Sequence, residues 1–296
     1  MSIVINTPNG NIGRRLALTL LDLGESITVI SRDPAKASEL AERGARVVQG
    51  SIEHEATLRE AFAGATGLFW LTPSNLAPGF HAWARAAAER AATLAAEAGI
   101  ERVVVLSSTG AHSGAGVGPV SALGPVEHEF ESRLPHVVSL RAGFFMENYL
   151  RDLGTIAAMG KIFSPAAADH RVPMVATSDI AQRAAELLHE GWQGHLRLGV
   201  HGPRDLSPRE GAQIVGQALG REVEYVQVTP EQALHAMLEA GIPEFAARLY
   251  VEMFVALNEG RMDPAEPRDD ASTTSTELAD FTRQVLRPAV AQAAAQ

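Results

Sequence analysis

Ser2-Ile3-Val4-Ile5-Asn6-Thr7-Pro8-Asn9-Gly10-Asn11-Ile12-Gly13 decides how the rest of the chain is read. Its β-branched start predicts a strand from Ser2 to Asn6. The Leu- and Ala-rich segment Ile12 to Leu23 has helical period and closes on Gly24, where a left-handed residue suits a helix C-terminus. A strand that passes through glycine directly into a helix is the context a dinucleotide-binding turn requires. The first-turn N–H groups of a helix lack internal partners and sit at the positive end of its dipole, so they receive a pyrophosphate. Gly10 and Gly13 let the backbone approach such a ligand closely; the alternative is that they only make a tight strand-to-helix turn.

Outward from this turn the pattern repeats. Strands are predicted at Ser26 to Ser31, Ala45 to Gln49, Gly67 to Leu71, Arg102 to Ser107 and Val137 to Ala142, with a long helix at Ala82 to Ala98 closed by Gly99. Strands apolar throughout, such as Val103-Val104-Val105-Leu106, fit a parallel sheet covered on both faces. The expected fold is therefore α/β: a doubly wound parallel sheet of Rossmann type over residues 1–145, completed by parts of 172–200. A smaller, mostly helical lobe is expected over 146–296, with helix starts at Thr177-Ser178-Asp179 and Ser207-Pro208 and a strand at Val223 to Val228. Asp263 to Thr276 holds Pro264, Pro267, Asp269-Asp270 and a Ser/Thr cluster, and reads as a loop.

The 296 residues carry 25 basic and 35 acidic side chains, a net charge of −10. An acidic surface repels polyphosphate, so the expected partner is a small molecule, not nucleic acid or an anionic membrane, with one local basic pocket still allowed. With no cysteine, disulfides, thiolate nucleophiles, iron–sulfur clusters and Cys-based zinc sites are excluded. The start has no basic leader and no apolar run of membrane length, which predicts a cytoplasmic protein, monomer or homodimer.

Asn6-Thr7-Pro8-Asn9-Gly10-Asn11-Ile12-Gly13 resembles the glycine motif of the NmrA-like branch of atypical short-chain dehydrogenase/reductases. So do, in the family's order, Val29-Ile30-Ser31-Arg32-Asp33-Pro34-Ala35-Lys36, Val104-Val105-Leu106-Ser107-Ser108 and Leu140-Arg141-Ala142-Gly143-Phe144-Phe145-Met146-Glu147-Asn148. Ala176-Thr177-Ser178-Asp179-Ile180-Ala181 and His201-Gly202-Pro203 with Leu206-Ser207 extend the resemblance over nearly the whole chain. One departure is Thr7 where the family has its first glycine, followed by Pro8; a positive φ there would make Thr costly. The resemblance implies a nicotinamide dinucleotide held by Thr7, Asn9, Gly10, Asn11, Ile12 and Gly13. The strand ends Leu71-Thr72-Pro73 and Ser107-Ser108 would flank ribose and nicotinamide, with Gly143 and Phe144 beside them, although Ser, Thr and Pro also favour ordinary turns. At the end of the second strand Arg32, with Lys36 a helical turn on, suits a 2′-phosphate, so NADPH is expected over NADH. Asp33 competes as a ribose ligand, but Asp33-Pro34 is also a good helix cap.

Most short-chain reductases carry a Tyr with a Lys four residues later. Here the lysines are Lys36 and Lys161, preceded four positions earlier by Arg32 and Ala157, so no such pair exists. Candidates for the proton donor are Ser108, His112, Ser121 and His128, beside water or a hydroxyl of the substrate itself. His128-Glu129 is not followed by the second His of a zinc hydrolase, and no metal site is expected. Phe144, Phe145, Met146 and Tyr149 suit a flat apolar substrate wall and, equally, helix core. Two functions follow: an NADPH-dependent reductase of an apolar or aromatic ketone or quinone, such as a tailoring ketoreductase of an aromatic polyketide in antibiotic biosynthesis, or a non-catalytic redox sensor.

Overall fold

The computed structural model describes residues 2–294. Each β-branched run forms a strand within a residue or so of its expected bounds: β1 (Ser2–Ile5), β2 (Ser26–Ser31), β3 (Arg46–Gln49), β4 (Gly67–Leu71), β5 (Arg102–Ser108) and β6 (His136–Ala142). Beyond them lie β7 (Phe144–Phe145), β8 (Lys161–Ser164), β9 (Val172–Val175), β10 (His195–Val200), β11 (Asp205–Leu206) and β12 (Glu224–Gln227). Seven strands make the central sheet in the order β10-β6-β5-β4-β1-β2-β3. All neighbours are parallel, with Val4 registered between Thr28 and Leu68. The chain winds outward from β1 to β3, then crosses to β4 and winds the other way, and that reversal opens a crevice at the carboxyl ends of β1 and β4.

Side-chain alternation along each strand explains why both faces are covered. Ile3 and Ile5 point to one face, where Leu16 and Leu20 of the helix Asn11–Asp22 meet Ile180 and Leu188 of the helix Thr177–Glu190. Val4 points to the other, under Leu58, Phe62, Ala84, Ala88 and Phe130. Trp70, wholly buried, packs its ring 5.5 Å from that of Phe130.

The region after residue 145 holds more strand than its sequence suggests. The expected strand Val223 to Val228 is β12, paired with β8, while β7, β9 and β11 form a separate small sheet. β10 returns to the main sheet beside β6. Its first half, His195-Leu196-Arg197, is exposed on the sheet edge, so it lacks the apolar signature of the inner strands. A third core, centred on Met146, Tyr149, Met174, Tyr225 and Phe281, gathers residues that follow 145. The helix from Pro208 begins as expected, with Ser207 and Glu210 in a capping box. Asp263 to Thr276 is an irregular strap, fastened through Glu266 to Arg141 and through Thr276 to Asp179. Among the described residues no helix is long and apolar enough to cross a membrane.

Candidate functional site

A cleft of about 440 Å³ lies at the carboxyl ends of β1 to β4, walled by the turn 6–10, Ile30 to Arg32, Gly50 to Glu53, Pro73 to Asn75, and Trp83. Its floor is fixed by Asn6, whose amide donates to the Leu71 carbonyl and accepts from the Leu71 N–H, both at 2.9 Å, clamping the ends of β1 and β4 together. Gly10 is the N-cap of the helix Asn11–Asp22, in extended conformation and with no side chain capping the first-turn N–H groups. Those donors remain available to an anion. At Gly13 a Cβ would stand 2.0 Å from the Thr7 carbonyl oxygen, so only glycine permits the turn to pack on its helix. At Gly10 the nearest atom to such a Cβ is 3.9 Å away, leaving the space in front of the helix free. Thr7 does not have positive φ, and its buried hydroxyl has no hydrogen-bond partner. Ile12 is buried in the core, so Asn11 and Ile12 can face a ligand here through their N–H groups.

The second strand ends in a tightly held loop. The Asn9 amide donates to Ser31 Oγ at 3.1 Å, and that hydroxyl donates to the Asp33 carbonyl at 2.7 Å. The Asp33 carboxylate accepts from the Ala35 N–H at 3.1 Å as the cap of the short helix Pro34–Ala37. Arg32 is exposed, lines the cleft and has no ion-pair partner among the described residues. Lys36 is exposed on the same short helix but does not line the cleft. Sequence reasoning missed Asn6, Glu53 and Trp83. Trp83 Nε1 donates to Glu53 at 2.7 Å, closing the cleft opposite the glycine turn. The signal was the place of Asn6 directly after β1, of Glu53 in the loop after β3 and of Trp83 in the first turn of the helix that follows β4.

Farther along that edge, the end of β6 and the helix Leu123–Glu131 share a buried ion pair. Arg141 donates to both oxygens of Glu127, at 3.0 and 2.7 Å, and to Glu266 of the strap at 2.6 Å. Ser107, expected at the cofactor, is buried and donates its hydroxyl to Glu127. Leu71 serves the Asn6 clamp, Thr72 accepts from Trp70 Nε1 at 3.3 Å, and of that trio Pro73 lines the cleft. Gly143 is glycine because a Cβ would lie 2.4 Å from the Pro173 carbonyl oxygen of β9.

Of the proton-donor candidates, Ser108 is half-buried at the end of β5. His112 is exposed with Nδ1 2.9 Å from the Thr109 carbonyl, Ser121 accepts from the Val117 N–H, and His128 is exposed on the helix Leu123–Glu131. They do not converge in one hydrogen-bonded group. Phe144 and Phe145 are half-buried and remain able to face a ligand. Met146 and Tyr149 are core: 1% and 6% exposed, with the Tyr149 hydroxyl on Met174 Sδ. Burial drives the Tyr149 phenol far above its ordinary range, and its hydroxyl points into the core and not into the cleft. Near it Asp152 is pushed up to about 6 by burial, against the lowering influence of Arg151. Among the described residues no cluster of His, Asp and Glu could hold a metal ion.

An uncapped helix terminus behind a glycine cradle, with a guanidinium lining the same cleft that has no ion-pair partner among the described residues, fits a dinucleotide bearing a 2′-phosphate. Several known proteins are similar to the chain in sequence or in fold. The chain is 30% identical over 252 residues to an NAD(P)H azoreductase of Xenophilus azovorans, covering 85% of this chain and 86% of that one. Its fold matches an NADPH-dependent quinone oxidoreductase of Escherichia coli complexed with NADPH, at TM-score 0.82, 21% identity and coverage of 96% and 99%. It also matches NmrA, a negative transcriptional regulator, complexed with NADP, at TM-score 0.77, 19% identity and coverage of 96% and 94%. The family model for NmrA-like proteins matches residues 1–282, and the chain belongs to that family.

Proposed function

We propose that this protein is an NADPH-dependent reductase of a flat apolar or aromatic carbonyl compound, a ketone or quinone. The observation that carries the reading is the cleft itself, which holds both the open helix terminus and Arg32, a cation without an ion-pair partner among the described residues. The first-turn N–H groups and Gly10 would hold the pyrophosphate, and Arg32, with Lys36 nearby, the 2′-phosphate. Ser108, Gly143 and Phe144, farther along the same edge, would border the nicotinamide, and Phe144 with Phe145 would present an apolar wall to the substrate. The bound dinucleotide supplies hydride; the chain orients the two partners and excludes water.

Protonation of the product oxygen is the role no residue fills. A substrate that carries its own donor, such as a phenol hydrogen-bonded to the reacting carbonyl, fits a site of this kind, because the developing alkoxide is stabilised by a bond already in place. An aromatic polyketide with a hydroxyl beside a quinone carbonyl has that chemistry. The second reading, a sensor that binds the dinucleotide without turning it over, draws on the absence of a Tyr with a Lys four residues later and on the likeness to NmrA.

Oxidation of NADPH with a panel of quinones and hydroxyaryl ketones separates the two. Turnover is expected, and Ser108→Ala, His112→Ala, Ser121→Ala and His128→Ala should each lower kcat by less than the roughly 100-fold that loss of a general acid costs. Methylating the substrate hydroxyl should cost more than any of them. Inertness across the panel with tight NADPH binding would favour the sensor, and one Ala variant that abolished turnover with binding intact would identify a protein acid.

A further inference from the structure

Ser31 is the last residue of β2, is 3% exposed, and uses its hydroxyl in both directions. It accepts from the Asn9 amide of the glycine turn at 3.1 Å and donates to the Asp33 carbonyl at 2.7 Å. The second bond spans Arg32 and closes the backbone around it. Asp33 is held again on its far side, where its carbonyl accepts from the Lys36 N–H and its carboxylate from the Ala35 N–H. The Ser31 carbonyl in turn accepts from the Gly50 N–H at 3.0 Å, anchoring the strand end to the loop after β3. Arg32 therefore projects from a backbone pinned on both sides, although its own side chain touches no ion-pair partner among the described residues. One hydroxyl thus joins the turn that would receive the pyrophosphate to the loop that would receive the 2′-phosphate.

We propose that Ser31 is a positioning residue that sets Arg32, through its hydrogen bonds to Asn9 and Asp33, and thereby the preference for the phosphorylated dinucleotide. This rests on the NADPH reading of the cleft. Its physical basis is preorganisation: a long, flexible guanidinium contributes more when its backbone needs no ordering on binding. Loss of these bonds leaves Arg32 its charge but not its aim. The first-turn donors of the helix Asn11–Asp22, which do not depend on Ser31, would keep their hold on the pyrophosphate of either cofactor.

The test is equilibrium binding, by calorimetry, of NADPH, NADH, adenosine 2′,5′-bisphosphate and 5′-ADP to the wild-type protein and to Ser31→Ala, with melting temperatures of both. Ser31→Ala should weaken NADPH and the 2′,5′-bisphosphate roughly tenfold, the scale of a lost hydrogen bond or two, while NADH and 5′-ADP change by less than about threefold. If the Ala variant does not fold, Ser31→Cys, close in volume but a weak hydrogen-bond partner, should give the same selective loss. A variant that keeps the wild-type ratio of the two affinities overturns the proposal. So does an equal loss for all four ligands accompanied by a fall in melting temperature, the mark of a purely structural role. A wild-type protein with no preference for NADPH would overturn the cofactor reading itself, and the role of Ser31 with it.

Discussion

Thr7 and Gly13 meet in one contact that explains what the glycine motif needs in this chain. The pressure for glycine is at Gly13, where a Cβ would strike the Thr7 carbonyl oxygen, and not at Thr7, which does not have positive φ. Departure from the family pattern at Thr7 therefore costs no backbone strain. Gly143 carries the same lesson: its conspicuous position reflects the close approach of β9. Arg32 is the residue whose reading is most directly measurable. An exposed charge-assisted contact of this kind contributes roughly 1.5 to 3 kcal/mol, so Arg32→Ala should weaken NADPH by about that much and leave NADH nearly unchanged in a binding titration. Equal losses for the two would count against a 2′-phosphate at Arg32.

Among elements, the strands β1 to β6 were legible because buried parallel strands read as continuous apolar runs, whereas β10 was not, because an exposed edge strand need not. The third core was only half legible. Phe, Met and Tyr at residues 144–149 have the same composition whether they line a ligand or a core, and only packing separates half-buried Phe144 from Met146 and Tyr149. Nor does sequence reveal that Glu127, in the segment where a reductase would carry its Tyr and Lys, turns inward to Arg141. That pair joins three elements: the helix Leu123–Glu131, β6, and through Glu266 the strap 263–276. Removing Arg141 leaves the buried Glu127 only the more distant, half-exposed Arg197 at 3.7 Å and the Ser107 hydroxyl, so Arg141→Met should destabilise the fold by about 3 kcal/mol in urea unfolding, the lower end for a broken buried pair. Glu266 keeps 21% of its side chain exposed, so Glu266→Gln should cost well under half of that. Similar small losses for both variants would mean that the pair contributes little.

For the molecule as a whole, the reversal of winding between β1 and β4 is what opens the cleft, and a net charge of −10 makes Arg32 a local exception on an acidic surface. The smaller lobe brings a different electrostatic consequence. Asp152 is raised from an ordinary 3.8 to about 6, chiefly because burial disfavours its charged form. A carboxyl raised in the folded state binds its proton more tightly there than in the unfolded chain, so folding is favoured while the group is protonated. Stability should then fall as pH rises from about 4 to about 6 and stay lower by a constant amount above that window, the reverse of a salt-bridged Asp. The shift corresponds to at most about 3 kcal/mol at 1.36 kcal/mol per pH unit. Asp152→Asn has no proton to lose, so it should remove this component of the pH dependence and raise the melting temperature at pH near 8 while changing it little near pH 4. The Thr155 hydroxyl bonds to the Asp152 backbone carbonyl, not the carboxyl, and survives the substitution. Thermal unfolding of both proteins across that range decides the matter: parallel curves for wild type and variant would mean that Asp152 is solvated in the folded state and that the lobe encloses no buried acid.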